Sequence, residues 1–419
     1  MKSLWKAAAA LTAIGLVLTG CSAGGAGGAG GSGGAAKLEF QTGLATSDPI
    51  LKTLTTMTQK FESTHKGVSI NLVPMTNTYE ADMKVRLASG DIPDIWATHG
   101  WSLLRYSDFL EPLSKRSWAK NFNPALAPAM ENKSGEFFAL PADTDVAGIV
   151  YNKKVLADAG IDPATLTTWD DFAAAAAKLK TAGVTPISAS GKDSWFAGNI
   201  ADFIASGAVN KSEKAGLIKG EFASAGYTKV LDLVQSWQKS GYFNADFSSA
   251  TTDDLTRSLA QGKTAFIFVQ NYVVASALGF VPDAELGYFP IPSASGKPYL
   301  VGGEGHAYGV SKTSKHKDQA LEYIDFLAQP DNLGKLASAI GGIPGLTNAK
   351  SDLGVLQASY EKFVKPGIFP LDPYFDRVYL PNGMWDTMVT TTSGVVTGQS
   401  GVTESVGQVK KQFGTLYGQ

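Results

Sequence analysis

The sequence predicts an α/β protein built as two doubly wound lobes, and three observations support that prediction. Segments with strand periodicity alternate with segments of helical periodicity over residues 37–100, as in a mainly parallel sheet covered by helices. The hydrophobic content of 44% and the charged content of 18% are those of a globular chain. About 380 residues follow the N-terminal segment described next, which is more than one simple core holds and therefore indicates two lobes.

Residues 1–20 have the features of a signal peptide. Two lysines precede an uncharged run at 7–20, which is shorter than the roughly 20 residues that a membrane-spanning helix needs. The next residue, Cys21, is the single cysteine of the chain, and the motif "LTGC" that ends there resembles the lipobox of bacterial lipoproteins. The resemblance implies cleavage before Cys21 and acylation of its thiol with a lipid such as palmitate. Residues 21–36, which are rich in Gly, Ala and Ser, would then tether the protein to the extracellular face of the cell membrane.

The first part of the globular chain alternates between strands and helices. A strand begins at residue 37 and gives way to a loop by 45, and the helical segment 48–67 carries apolar residues every three to four positions. The segment 68–75 alternates like a strand, 79–90 is a second helix, and 92–100 is a short buried strand with its loop. Ligands of open α/β sheets bind beyond the carboxyl ends of the strands. The candidate contact loops are therefore those that follow residues 41, 75 and 97.

The rest of the chain continues in the same style. The stretch "GIVYNKKVLADAG" joins a strand to a helix, and a longer helix begins at Thr168, whose hydroxyl suits an N-cap. The two aspartates in the first turn of that helix favour the positive end of its dipole. Buried strands are predicted at 263–271 and 306–314, and the tail 351–419 contains several short helical patterns.

Five stretches, in this order, resemble the extracellular solute-binding proteins of ABC sugar importers, the class that includes maltose-binding protein. The most specific is the second, with Tyr151-Asn152 before a helix and Thr-Trp-Asp at the start of the next helix. The resemblance extends over roughly residues 37–345, and the C-terminal seventy residues match only loosely. The five stretches read "SGDIPDIWATHGWSLLRYSDFLEPL", "FFALPADTDVAGIVYNKKVLADAGIDPATLTTWDDF", "LAQGKTAFIFVQN", "FPIPSASGKPYLVGGEGHAYGVSKTSKHKDQALEYIDFL" and "GGIPG".

This resemblance implies two α/β lobes joined by a hinge that the chain crosses several times, with the ligand in the cleft between the lobes. The N-terminal lobe would comprise residues 37–145 and 303–345, and the C-terminal lobe residues 146–302 and 346–419. The implied crossings lie near residues 143–150, 299–305 and 344–350.

Three carboxylates are candidate ligand contacts. Asp143 and Asp145 follow a proline at an implied hinge crossing, and Glu304 lies in the glycine-rich run "GGEGHAYG". Each carboxylate oxygen can accept hydrogen bonds from sugar hydroxyls. By the resemblance, Asp145 occupies the position of a carboxylate that grips the ligand. His306, in the same glycine-rich run, is a further candidate contact.

Aromatic residues are the second class of candidates, because sugar rings stack on aromatic faces. Trp195, Tyr272 and Trp385 lie at positions where the family carries stacking aromatic residues. Two polar residues near them in the sequence, Asp193 and Asn271, are also candidate ligand contacts.

The loop after the strand "DIWA" contributes two more candidates, His99 and Trp101. It follows the carboxyl end of a strand, where the family has polar ligand residues. The position matches, but the family's acidic-basic pair is replaced here by Thr-His-Gly-Trp.

The predicted function is capture of a neutral di- or oligosaccharide by a monomer and its delivery to the ABC permease subunits in the membrane. Alternatives are a cationic ligand such as a polyamine, or an exported glycoside hydrolase that uses Asp143 and Glu304 as a carboxylate pair. With a formal net charge of −2, the chain lacks the excess positive charge that binding to nucleic-acid phosphates requires. A single cysteine rules out a cysteine-rich zinc site, and no cofactor or metal is expected.

Overall fold

The computed structural model of the chain describes residues 35–46, 48–76, 79–98, 103–222, 224–271 and 273–418. The predicted signal peptide, Cys21 and nearly all of the tether lie outside these ranges, as do His99, Trp101 and Tyr272. The strands are β1 (Ala36–Gln41), β2 (Val68–Val73), β3 (Ile95–Ala97), β4 (Leu140–Pro141), β5 (Asp143–Asn152), β6 (Thr185–Ile187), β7 (Thr264–Gln270), β8 (Leu286–Phe289), β9 (Leu300–Glu304), β10 (Ala307–Val310), β11 (Ile343–Pro344) and β12 (Leu371–Pro373).

The helices connect and cover these strands. They are α1 (Pro49–Thr64), α2 (Tyr79–Ser89), α3 (Leu103–Tyr106), α4 (Ala127–Met130), α5 (Lys153–Asp158), α6 (Trp169–Thr181), α7 (Trp195–Ala208), α8 (Lys211–Ile218), α9 (Ser224–Lys239), α10 (Thr252–Ala260), α11 (Val273–Phe280), α12 (Lys317–Leu327), α13 (Pro330–Ser338), α14 (Gln357–Ser359), α15 (Phe375–Tyr379), α16 (Met384–Thr397) and α17 (Val402–Leu416). None of the described helices combines the length and the apolar character needed to cross a bilayer.

Local sequence signals place the helix starts. At α1, the side chain of Asp48 accepts a hydrogen bond from the backbone N–H of Ile50, and a proline occupies the first turn. At α6, Thr168 and Asp171 form a reciprocal capping box, which confirms the predicted cap. The predicted apolar stripe of α1 is also confirmed, because its buried residues are Ile50, Leu54, Met57, Thr58 and Phe61.

The first sheet has the strand order β2-β1-β3-β10-β4. The strand β1 is parallel to β2 and β3, as the alternation of strands and helices predicts. The strand β10, which arrives from more than two hundred residues later in the chain, is antiparallel to β3 and β4. The sheet is therefore mixed, because β10, which comes late in the chain, pairs with the free edge of β3.

The second sheet is built around β5, whose ten residues are all buried. Its main path is β12-β9-β5-β7-β6, and β8 and β11 also pair with β5. All four partners of β5 run antiparallel to it, whereas β6–β7 and β9–β12 are parallel pairs. The α/β class is confirmed, and the strand directions of this second sheet are a finding of the structure, since apolar periodicity carries no information about strand direction.

Each sheet has its own large hydrophobic core. The chain passes from the first sheet to the second between β4 and β5, and it returns across Gly305 and His306 between β9 and β10. A third passage follows β11, between Leu346 in the core of the first sheet and Leu353 in the core of the second. The lobe boundaries given above stay a prediction.

Candidate ligand-binding site

Two carboxylates lie side by side where the chain passes from one sheet to the other. Asp143 and Asp145 are two residues apart on β5, so their side chains leave the same face of the strand. They are 1% and 2% exposed. The neighbouring strand β9 places Glu304 opposite Thr144, and Gly303 opposite Asp145. One strand pair therefore places the three predicted carboxylates at adjacent positions of the sheet.

Gly305 lies against the side chains of both aspartates. A Cβ atom on Gly305 would lie 2.7 Å from Asp145 Oδ1 and even closer to Asp143 Oδ2, so only a residue without a side chain fits. These same two oxygens have no hydrogen-bond partner among the described residues. Two carboxylate oxygens thus face the backbone of Gly305, which carries no side chain.

His306 forms an ion pair with Asp143. Its Nδ1 lies 2.8 Å from Asp143 Oδ1, and its backbone N–H donates to the same oxygen at 2.9 Å. The imidazole is 21% exposed. Burial lowers the pKa of His306, but the charge of Asp143 and the hydrogen bond to it prevail and raise that pKa to about 9. The histidine is therefore an imidazolium at neutral pH.

The surroundings of Asp145 raise its pKa. Burial and the neighbouring charge of Asp143 raise the pKa of Asp145 to about 8, although Arg377 and His306 oppose the rise. The hydroxyl of Tyr374 donates to Asp145 Oδ2 at 3.3 Å. At neutral pH the Asp145 carboxyl is mostly protonated, so it can donate a hydrogen bond as well as accept one.

Arg377, on α15, is a member of this cluster that the sequence reasoning missed. Its Nη1 donates to the backbone oxygen of Glu304 at 2.8 Å and lies 3.4 Å from Glu304 Oε1. Its guanidinium carbon lies 3.9 Å from the centre of the Tyr374 ring. Glu304 is fully buried and held in this ion pair. The signal in the sequence is weak, since "YFDRVY" lies in the loosely matching tail.

Asn271, which follows the last residue of β7, forms hydrogen bonds with the backbone next to the cluster. Its Oδ1 accepts from the backbone N–H of Val146 at 3.0 Å, and its Nδ2 donates to the carbonyl of Gly341 at 3.1 Å. The side chain is buried. Asn271 therefore joins β5 to the segment after α13, and both of its described contacts are to backbone.

Trp195 and Trp385 lie on a different surface, along α7. A Cβ on Gly198 would lie 2.6 Å from Trp385, which shows that the Trp385 indole rests directly on this helix. Trp195 precedes Gly198 by three residues and so shares its face of α7. It stacks on Phe196 with a centroid distance of 3.9 Å. Both indoles are partly exposed.

Asp193 lies just before α7 and ties two helix starts together. Its Oδ2 accepts from the backbone N–H of Thr252 at 2.6 Å and from the Thr252 hydroxyl at 2.9 Å. The structure thus groups the predicted contacts into a carboxylate cluster (Asp143, Asp145, Asn271, Glu304 and His306) and an α7 surface (Asp193, Trp195 and Trp385).

Comparisons with known proteins agree on one family. The profile of the bacterial extracellular solute-binding proteins matches residues 56–362. The melibiose/raffinose/stachyose-binding protein MelE of Bacillus subtilis (strain 168) is 32% identical over 389 residues, which are 91% of this chain and 89% of that protein. A Bacillus subtilis binding protein solved in an open conformation matches with a TM-score of 0.81 and 28% identity, over 91% of this chain and 98% of the other.

A sugar transporter of Bacillus licheniformis, solved in complex with stachyose, matches with a TM-score of 0.79 and 29% identity. That match covers 91% of this chain and 100% of the other. The fold, the profile and the relatives lead to the same conclusion: the chain belongs to the bacterial extracellular solute-binding protein family.

Proposed function

We propose that this chain is the substrate-binding protein of an ABC importer, which captures a neutral oligosaccharide and delivers it to the permease in the membrane. The observation that carries the proposal is the pair of buried oxygens, Asp143 Oδ2 and Asp145 Oδ1, which converge on Gly305 without a partner among the described residues. Neighbouring hydroxyls of a sugar suit such a pair, because each hydroxyl can donate to one oxygen.

The α7 surface supplies the complementary apolar element. Trp195 and Trp385 offer partly exposed indoles, which suit the C–H faces of sugar rings. The relatives MelE and the stachyose-bound sugar transporter guide the choice of ligand, and we propose melibiose, raffinose and stachyose as the first sugars to test.

The charges of the carboxylate cluster favour a neutral ligand over a polyamine. Asp143 is paired with His306 and Glu304 with Arg377, while Asp145 is mostly protonated at neutral pH. A cationic ligand would meet two carboxylates that already have cationic partners. The same pairing argues against a hydrolase, since Asp143 and Glu304 are buried and engaged. We therefore propose a binding protein without catalytic activity.

The extracellular location follows from the family, and the lipid anchor is our proposal for how the protein is held there. It rests on Cys21 after the uncharged run. Mass spectrometry of the N-terminal peptide from the membrane fraction tests it. A mature chain that starts at another residue, or an unmodified Cys21, would contradict the anchor.

Closure of two lobes around the ligand is the transport signal that we propose, with the lobe boundaries that the family resemblance implies. The three passages between the sheets support this arrangement, because they would act as the hinge. A ligand that contacts both lobes would favour the closed form over the open form. Saturating stachyose should then lower the radius of gyration in small-angle scattering. An unchanged scattering curve at proven saturation argues against ligand-driven closure.

Titration calorimetry of the chain against melibiose, raffinose, stachyose and spermidine tests the proposed ligand class. Asp145→Ala should weaken sugar binding about tenfold, since it removes a hydrogen-bonding group from the cluster. The matched control is Asp158→Ala, which affects only an exposed pair with Lys154 and should leave affinity unchanged. Binding of spermidine alone would overturn the sugar assignment, and release of shorter sugars on prolonged incubation would reveal a hydrolase.

A further inference from the structure

We propose that residues Tyr374–Arg377, here called the α15 arm, position Asp145 for the ligand, and that a proton shared between Asp202 and Asp376 holds this arm in place. The inference rests on the proposed function, in which Asp145 contacts the sugar. It makes Tyr374, Asp376 and Asp202 positioning residues, which act on the ligand through Asp145.

The arm reaches the carboxylate cluster through two side chains. Tyr374 is buried, and its hydroxyl donates to Asp145 Oδ2 at 3.3 Å. The guanidinium of Arg377 lies on the Tyr374 ring and donates to the Glu304 carbonyl at 2.8 Å. A shift of the arm would therefore move the tyrosine that orients Asp145 and would loosen the contact with β9.

The arm is attached to α7 through Asp202. This residue is fully buried in the middle of α7, and its Oδ1 accepts from the backbone N–H of Asp376 at 2.8 Å. Its Oδ2 has no partner among the described residues when the carboxyl is ionised. One turn later on the same helix, the hydroxyl of Ser206 donates to the carbonyl of Pro373 at 3.2 Å. The arm is thus fixed to the helix that also carries Trp195.

The surroundings of Asp202 favour its protonated form. Burial and the charge of Asp376 raise the pKa of Asp202 well above its ordinary value, and burial also raises the pKa of Asp376. The interaction between the two carboxyls raises the pKa of Asp202 further and opposes the rise at Asp376, so we place the shared proton on Asp202. The titratable or charged groups that face Asp202 are Asp376 and Arg377 from α15, Tyr227 from α9 and Tyr299 just before β9.

Loss of the shared proton would place two negative charges in contact inside the protein. Like charges at this distance repel, so the arm would be released from α7 and Asp145 would lose its hydrogen bond from Tyr374. Sugar affinity should therefore fall in alkaline solution partly because of Asp202, a residue that does not touch the ligand.

Asp202→Asn tests this directly. The asparagine keeps the acceptor for the Asp376 N–H and supplies a permanent N–H donor to the Asp376 carboxylate, which mimics the protonated residue at every pH. Calorimetry with stachyose from pH 6 to pH 10 should show that D202N retains roughly three- to tenfold more of its neutral-pH affinity at pH 9–10 than the wild type does. Ser206→Ala, the control on the same helix, removes a non-titratable contact and should leave the shape of the profile unchanged.

Tyr374→Phe separates positioning from stability. It should weaken binding roughly three- to tenfold with little change in the unfolding midpoint, and D202N should no longer alter the pH profile in this background. Identical pH profiles for D202N and wild type, or unchanged affinity of Y374F, would overturn the inference. If the wild type binds no sugar, the proposed function fails. Hydrogen exchange of the peptide 372–380 without ligand then decides: slower exchange in D202N than in wild type at pH 9 supports the attachment, and equal exchange refutes it.

Discussion

Gly305→Ala would test the convergence of the two aspartates most directly. The added Cβ would lie 2.7 Å from Asp145 Oδ1 and closer still to Asp143 Oδ2, so at least one buried carboxyl must move. Overpacking of this kind costs about 1–3 kcal/mol. The loss of backbone freedom in the unfolded chain offsets about 0.4–1 kcal/mol of that cost. We therefore expect a net loss of about 1–2 kcal/mol in the free energy of unfolding, together with at least tenfold weaker binding of stachyose.

The matched control for this variant is Gly407→Ala on α17. No heavy atom lies within 4 Å of a Cβ built at Gly407, so the change should stabilise the protein by about 0.5–1 kcal/mol through helix propensity alone. Urea unfolding gives the stabilities and calorimetry gives the affinities. If Gly305→Ala is as stable as the wild type and binds stachyose equally well, the two carboxylates do not meet at Gly305 and the proposed site is wrong.

Three further outcomes follow from the contacts. The folded-state pKa of His306 is raised to about 9, so its ion pair with Asp143 should stabilise the protein by about 3 kcal/mol below pH 6.5 and lose that effect as the pH rises through 9. The urea midpoints of wild type and His306→Gln should therefore converge between pH 6 and pH 10. Parallel curves would contradict the ion pair. Thr168→Ala should cost about 1 kcal/mol in thermal or urea unfolding, because it removes the capping box with Asp171, while sugar affinity stays unchanged. Trp385→Ala should weaken sugar binding by about 1–3 kcal/mol in calorimetry, whereas a large loss of stability at wild-type affinity would make the indole a packing residue.

Local sequence signals were sufficient for much of the fold. The caps at Asp48 and Thr168 and the apolar stripe of α1 act between residues a few positions apart, so each can be identified without knowledge of the rest of the chain. The period of two places Asp143 and Asp145 on one face only once β5 is known to begin at Asp143. Glycine permits close approach of the backbone, and Gly305, in the glycine-rich run around Glu304 and His306, is such a place.

Only the tertiary structure decided what those aspartates meet. His306 and Tyr374 contact the aspartates from more than 150 residues away in the chain, and Arg377 contacts Glu304 from 73 residues away. These contacts form through strand pairs and a short helix whose partners no periodicity specifies. The same holds for strand direction, since β5 and β10 pair antiparallel with strands distant in sequence. Protonation was also decided there, because the pKa of Asp145 depends on burial and on the charges that the fold brings beside it. A residue type supplies the carboxyl, but the electrostatic environment that gives it a proton exists only once distant segments have packed together.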